Sequence, residues 1–167
     1  MVEMFIYKVG IDRQGRTIVL LADEKTQTLL PILIGLFEAR AIAAELGRDE
    51  LGPPARPMTH DLMVSVFQEL GCVLEKITVT KIEDDVFYAI LSLVGGDRRY
   101  EIDARPSDSL ALAVRTGARI FVDESVLAKA QVVIEEENEE DIERFKQLLG
   151  DVGLDAPQTE EPEEGAV

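Results

Sequence analysis

The apolar positions of this chain change rhythm several times. Residues 2–11, VEMFIYKVGI, have strand composition, and GRTIVLLAD (15–23) and TQTLLPILIG (26–35) are short apolar runs bounded by turn formers. Such runs, apolar at successive positions, predict strands buried on both faces. From Leu36 the spacing becomes helical: Leu36, Ala39, Ile42, Ala43 and Leu46 share a face, and Gly47 is placed to end it. RDELGPPARP (48–57) predicts a loop, since residues before proline are biased away from helix.

A second helix is predicted from Thr59 as N-cap, burying Leu62, Met63, Val66, Phe67 and Leu70 and ending at Gly71. Three strands follow: CVLEKITVTKI (72–82), VFYAILSLV (86–94) and RRYEIDA (98–104). The links EDD and GGD are short enough for hairpins, so 72–104 reads as an antiparallel meander at the centre of the fold. In its last strand Tyr100, Ile102 and Ala104 alternate with Arg99, Glu101 and Asp103, giving one core face and one charged face.

RPSDSLALAVRTG (105–117) predicts a buried helix with Ser107 as N-cap and Gly117 past its end. RIFVDESVLAKA (119–130) gives a short strand and a helical turn. Together these elements predict an α+β fold, a largely antiparallel sheet packed with helices, over residues 1–133. Residues 134–150 predict an acidic amphipathic helix striped by Ile142, Phe145, Leu148 and Leu149. Residues 151–167 predict a disordered acidic tail.

Charge sharpens that division. The net charge is −16, of which residues 135–167 carry −11 (13 acidic, 2 basic) and residues 1–134 only −5 (20 acidic, 15 basic). An acidic protein meets a polyanion only through local arginines or metal ions. The tail reads first as a solubilising segment. Docked near Arg98, Arg99, Arg115 or Arg119, it would also compete with a nucleic acid. One cysteine, Cys72, excludes an internal disulfide and favours a reducing, cytoplasmic setting. No apolar run is long enough for a membrane helix.

The candidate chemistry lies in two Arg-Pro helix starts, RPMTHD (56–61) and RPSDS (105–109). Each joins an arginine, a hydroxyl and a carboxylate at a helix N-terminus, where free N–H groups favour an anion. Converged, they would bring together His60, Asp61, Asp103 and Asp108 as acid/base groups. The plainer reading stays open: Thr59 and Ser107 as caps, Asp61 and Asp108 as first-turn acids, Glu38 as a salt-bridge partner. Zinc-type clusters, Walker loops, GxGxxG and GxSxG are all absent.

LPILIG followed by EA.AI, then RPMTHDLM, then DARPSDSLALAVR, in this order, resembles the bifunctional nuclease domain family over about residues 3–132. The resemblance implies an α+β domain that tends to dimerise, with activity on DNA and RNA. The matching positions are Glu38, Thr59, His60, Asp61, Asp103, Arg105, Ser107 and Asp108.

Two functions are then expected. The first is a nuclease in which Glu38, Asp61, Asp103 and Asp108 hold Mg²⁺ or Mn²⁺ and His60 acts as general acid or base. Arg56, Thr59, Arg105 and Ser107 would bind substrate. The second is a non-catalytic dimeric scaffold or regulator that binds a small anion or a protein partner.

Overall fold

The computed structural model describes residues 1–12, 14–23, 28–47, 52 and 54–131, and the backbone of 132 and 133. The acidic helix and tail expected over 134–167 lie outside the described residues. The elements run β1 (Val2–Ile11), β2 (Thr17–Ala22), β3 (Thr28–Leu33), α1 (Leu36–Leu46), α2 (Thr59–Glu69), β4 (Cys72–Glu83), β5 (Val86–Gly95), β6 (Arg98–Ala104), α3 (Pro106–Thr116), β7 (Arg119–Val122), α4 (Glu124–Ala130) and β8 (Val132–Val133). They form an α+β fold around a mostly antiparallel open sheet ordered β6-β5-β4-β7-β1-β2-β3-β8.

Two antiparallel blocks, β1-β2-β3 and β4-β5-β6, are local in sequence and joined by short turns. The β4–β5 turn places Asp84 and Asp85 at positive φ (48° and 61°), the backbone that a two-residue hairpin requires. The blocks meet through β7, which lies parallel to β4 and antiparallel to β1. The expected meander is therefore present but forms one end of the sheet, not its centre. Sequence rhythm cannot reveal that a four-residue strand arriving after α3 splits the two blocks.

The helix-bearing face holds the core. Val19, Leu21, Leu30 and Ile32 from one block meet Leu74, Ile77, Val79, Leu91 and Leu93 from the other, under Leu110–Ala113 of α3. Nearly all of α3 from Pro106 to Ala113 is buried, as an apolar run without a polar stripe demands. Gly117, at φ 68°, ends it in the left-handed conformation. The β2 strand is buried from Ile18 through Ala22, so its both-face reading holds. Pro31 lies beyond the two-residue pairing of β3 with β8, where among the described residues no strand pairs with the outer side of β3.

Two burial expectations are corrected. On α2 only Met63 and Phe67 of the apolar set pack on the core, while Leu62, Val66 and Leu70 are exposed. The helix leans on α3 and β4 with a narrow face. The buried residue at its start is His60. On β6, Tyr100 and Ile102 are exposed as well, because β6 is the edge strand.

Candidate functional site

The starts of α1, α2 and α3 obey one rule. Each has an acid at its third residue: Glu38, Asp61 and Asp108. A carboxylate there complements the partial positive charge of the helix end. What distinguishes the three is the partner each one takes.

Asp61 reaches back to its own helix start. Its Oδ2 accepts from the Met58 N–H at 2.8 Å. Its Oδ1 accepts from Arg115 Nε at 2.8 Å, and Arg115 is only 3% exposed. Arg115 also donates to the carbonyls of Ala41 at 3.0 Å and Ala111 at 2.8 Å. One guanidinium thus ties α1, α2 and α3 together. The expected cap at Thr59 is corrected: Met58 is the N-cap residue, Thr59 opens the helix and is exposed, and Asp61 makes the capping bond.

Asp108 takes the partners that matter for chemistry. Its Oδ2 accepts from Arg105 Nε at 2.7 Å and its Oδ1 from Arg105 Nη2 at 3.1 Å, a two-pronged pairing. His60 Nε2 lies 3.3 Å from the same Oδ1. Arg105 Nη1 reaches on to Glu38 Oε1 at 3.1 Å. The spacing of α3 explains the double anchoring: Asp108 and Arg115 are seven residues apart, two turns on one face. That face meets α2 at two successive residues, His60 and Asp61.

Burial alone would raise the Asp108 carboxyl. Hydrogen bonds from Arg105 and His60 and the charge of Arg105 outweigh it, and Asp108 is held below the usual carboxylate value. The hydrogen bond and charge of Asp108 raise Arg105 above its already high value. This pair stays ionised across the neutral range.

His60, Glu38, Arg105 and Asp108 line a cleft of about 750 Å³, together with Asp103, Thr59 and Arg40. Met63, Leu91, Ile102 and Leu112 supply its apolar wall. Two separate Arg-Pro motifs therefore meet here. Glu38, Thr59, His60, Asp103, Arg105 and Asp108 are brought to one cleft. Asp61, Arg56 and Ser107 are not: Asp61 turns to Arg115, Arg56 is exposed before α2, and Ser107 is buried facing a second cleft. Sequence reading did not find Arg115 as the strut; its place seven residues after Asp108 was the available signal. It expected Arg115 at the surface.

The expected four-carboxylate metal set does not assemble, because Arg115 holds Asp61 away from the others. Among the described residues no three His, Cys, Asp or Glu side chains are gathered to hold an ion. A metal at this cleft would compete with Arg105 for Glu38 and Asp108.

A helix-covered sheet whose two Arg-Pro helix starts converge on a His–Asp–Arg cleft defines the class, and comparison with known proteins agrees. The model of the bifunctional nuclease domain matches residues 19–135, and the chain belongs to that family. Two uncharacterized proteins of Mycobacterium tuberculosis, MT1877 and Rv1829, are each 38% identical over 151 residues, covering 85% of this chain and 88% of each relative. Among the described residues no helix is long and apolar enough to cross a membrane.

Proposed function

We propose that this chain is a nuclease that hydrolyses phosphodiester bonds in DNA and RNA at the cleft between the starts of α1, α2 and α3. One observation carries the reading: His60 from the first Arg-Pro motif lies 3.3 Å from Asp108 of the second, whose other oxygen is held by Arg105, in a member of the bifunctional nuclease domain family. The cleft volume falls within the range of ligand-binding sites.

The roles follow from the contacts. Asp108 accepts from His60 Nε2 and so fixes the orientation of the ring. The other ring nitrogen, Nδ1, then exchanges protons with the attacking water and the leaving oxygen. Arg105, 66% exposed, offers charge to the phosphate while Asp108 and Glu38 hold it in place.

The charge of the cleft sets a requirement. Its lining holds three carboxylates (Glu38, Asp103, Asp108) against two guanidinium groups (Arg40, Arg105), a formal sum of −1 with His60 neutral. Dependence on Mg²⁺ or Mn²⁺ is a separate proposal that rests on this sign, and no step above runs through an ion. A homodimer and a cytoplasmic setting are proposed from the family resemblance and the single cysteine respectively.

One observation favours the second reading, a non-catalytic scaffold or regulator: the Asp108 and Glu38 carboxylates are already bound by Arg105. The test is incubation of purified protein with single-stranded DNA and RNA in Mg²⁺, Mn²⁺ or EDTA, beside identically purified variants. Cleavage by the parent alone supports the nuclease. Equal cleavage by parent and variants, or none, supports the scaffold.

A further inference from the structure

β2 is buried on both sides, and the helices account for one of them. Val19 and Leu21 face the main core, where the described helices pack. Leu20 and Ala22 point to the opposite, outer side of the sheet and form a cluster of their own with Leu29. We propose that this outer face is the docking surface for the chain's own acidic segment, residues 134–150, whose apolar stripe covers the cluster. Docking here is independent of any cleavage at His60.

The burial of the cluster calls for a cover. Leu20, Ala22 and Leu29 are each at most 6% exposed. Phe5 pairs with Ala22 and Leu33 with Ile18, so both share the outer face. They are 40% and 53% exposed, which is what an uncovered sheet face leaves. Each described helix contributes to the main core and none to the outer cluster.

Chain path, apolar pattern and charge all select the same occupant. The last described strand pairs Val132 with Leu29, so the chain leaves the sheet one residue past a member of the cluster. An extended link over 134–141 reaches up to about 27 Å, whereas β1 lies two strand spacings, about 10 Å, from β3. Beyond that link Ile142, Phe145, Leu148 and Leu149 recur at helical spacing, flanked by Glu139, Glu140, Asp141 and Glu143. The outer face has the matching border. Lys8 pairs with Leu20, and Arg119 pairs with Lys76, their charges 5.2 and 5.8 Å from the centroid of the Phe121 ring. Among the described residues none of these three cations meets a carboxylate within 4.0 Å. A nucleic acid would suit the cations but leave the three aliphatic residues unmatched. An apolar stripe flanked by acids suits both.

Arg144 and Lys146 lie inside the stripe and are trypsin sites. Limited digestion of the full chain, read by mass spectrometry, follows cleavage after these two residues. Docking is expected to protect them. F5S removes an apolar contact and R119E reverses a border charge, and neither alters the cleaved sequence. Each is expected to speed cleavage about tenfold, since cleavage tracks the population of undocked segment. Raised salt should shrink the effect of R119E. Arg119 is exposed, so R119E keeps the test open if F5S destabilises β1. L62S, on the exposed face of α2, should change nothing. Parent cleavage as fast as that of an isolated peptide of residues 134–150 overturns the docking. So does protection that neither F5S nor R119E relieves, that L62S relieves instead, or that vanishes on dilution. Weaker oligothymidylate binding by F5S and R119E at unchanged cleavage would give the face to a nucleic acid, and likewise overturns it.

Discussion

Arg115 Nε donates to Asp61 Oδ1 at 2.8 Å, and this largely buried pair joins α2 to α3. The neighbouring residue of α2, His60, is thereby turned to Asp108. Removing one partner of a buried ion pair leaves the other charge uncompensated. R115A is expected to destabilise the fold by about 3–5 kcal/mol. Chemical denaturation checks this; a loss under about 1 kcal/mol, the value of an exposed pair, would show that the strut carries little.

Asp108 makes stability depend on acid. Its folded value lies below its unfolded one, so its contribution is complete above the unfolded value, about 3.9, and is lost as pH falls through the folded value. D108N should be less stable than the parent at neutral pH, with the gap closing below about pH 4. Denaturation of both proteins across that window measures it. A gap that stays constant with pH would rule out a charged pairing.

Core and surface leucines of the helices should separate cleanly. Leu112 of α3 is fully buried and L112A should cost about 2–5 kcal/mol. Leu62 of α2 is 58% exposed and L62A should fall within about 0.5 kcal/mol of the parent. A large loss from L62A, dependent on protein concentration, would instead mean that α2 is covered by a second copy.

The acidic segment offers a prediction from charge alone. Truncation after Val133 takes away the −11 of residues 135–167. Binding of single-stranded nucleic acid should strengthen, with the gain shrinking as salt rises. Titrations of full-length and truncated protein at two salt concentrations check this. Unchanged affinity at low salt in a folded truncation would leave the tail a solubilising segment.

Much of the fold was legible because local rhythm governs local elements. The β1-β2-β3 block, the β4-β5-β6 meander and the buried LALAV helix all follow from period and turn chemistry. The position of β7 was not legible, since it depends on where α3 crosses the sheet. The burial of α2 was misread because apolar spacing shows which face is available, not how much of it is covered. At the site, the meeting of His60 with Arg105 and Asp108 was readable from paired motifs at helix starts. The departure of Asp61 was not, because adjacent helical residues point about 100° apart and only a partner such as Arg115 decides which one faces the cleft.

The central claim is that the His60–Asp108 pair performs proton transfer. The most direct measurement is cleavage of single-stranded DNA and RNA by the parent and by H60A, purified identically, with melting curves run on the same samples. The account predicts a fall of about 10²–10⁴-fold in cleavage with a melting temperature close to that of the parent. Equal cleavage by the two proteins, or a loss of activity that only tracks a loss of stability, would contradict it.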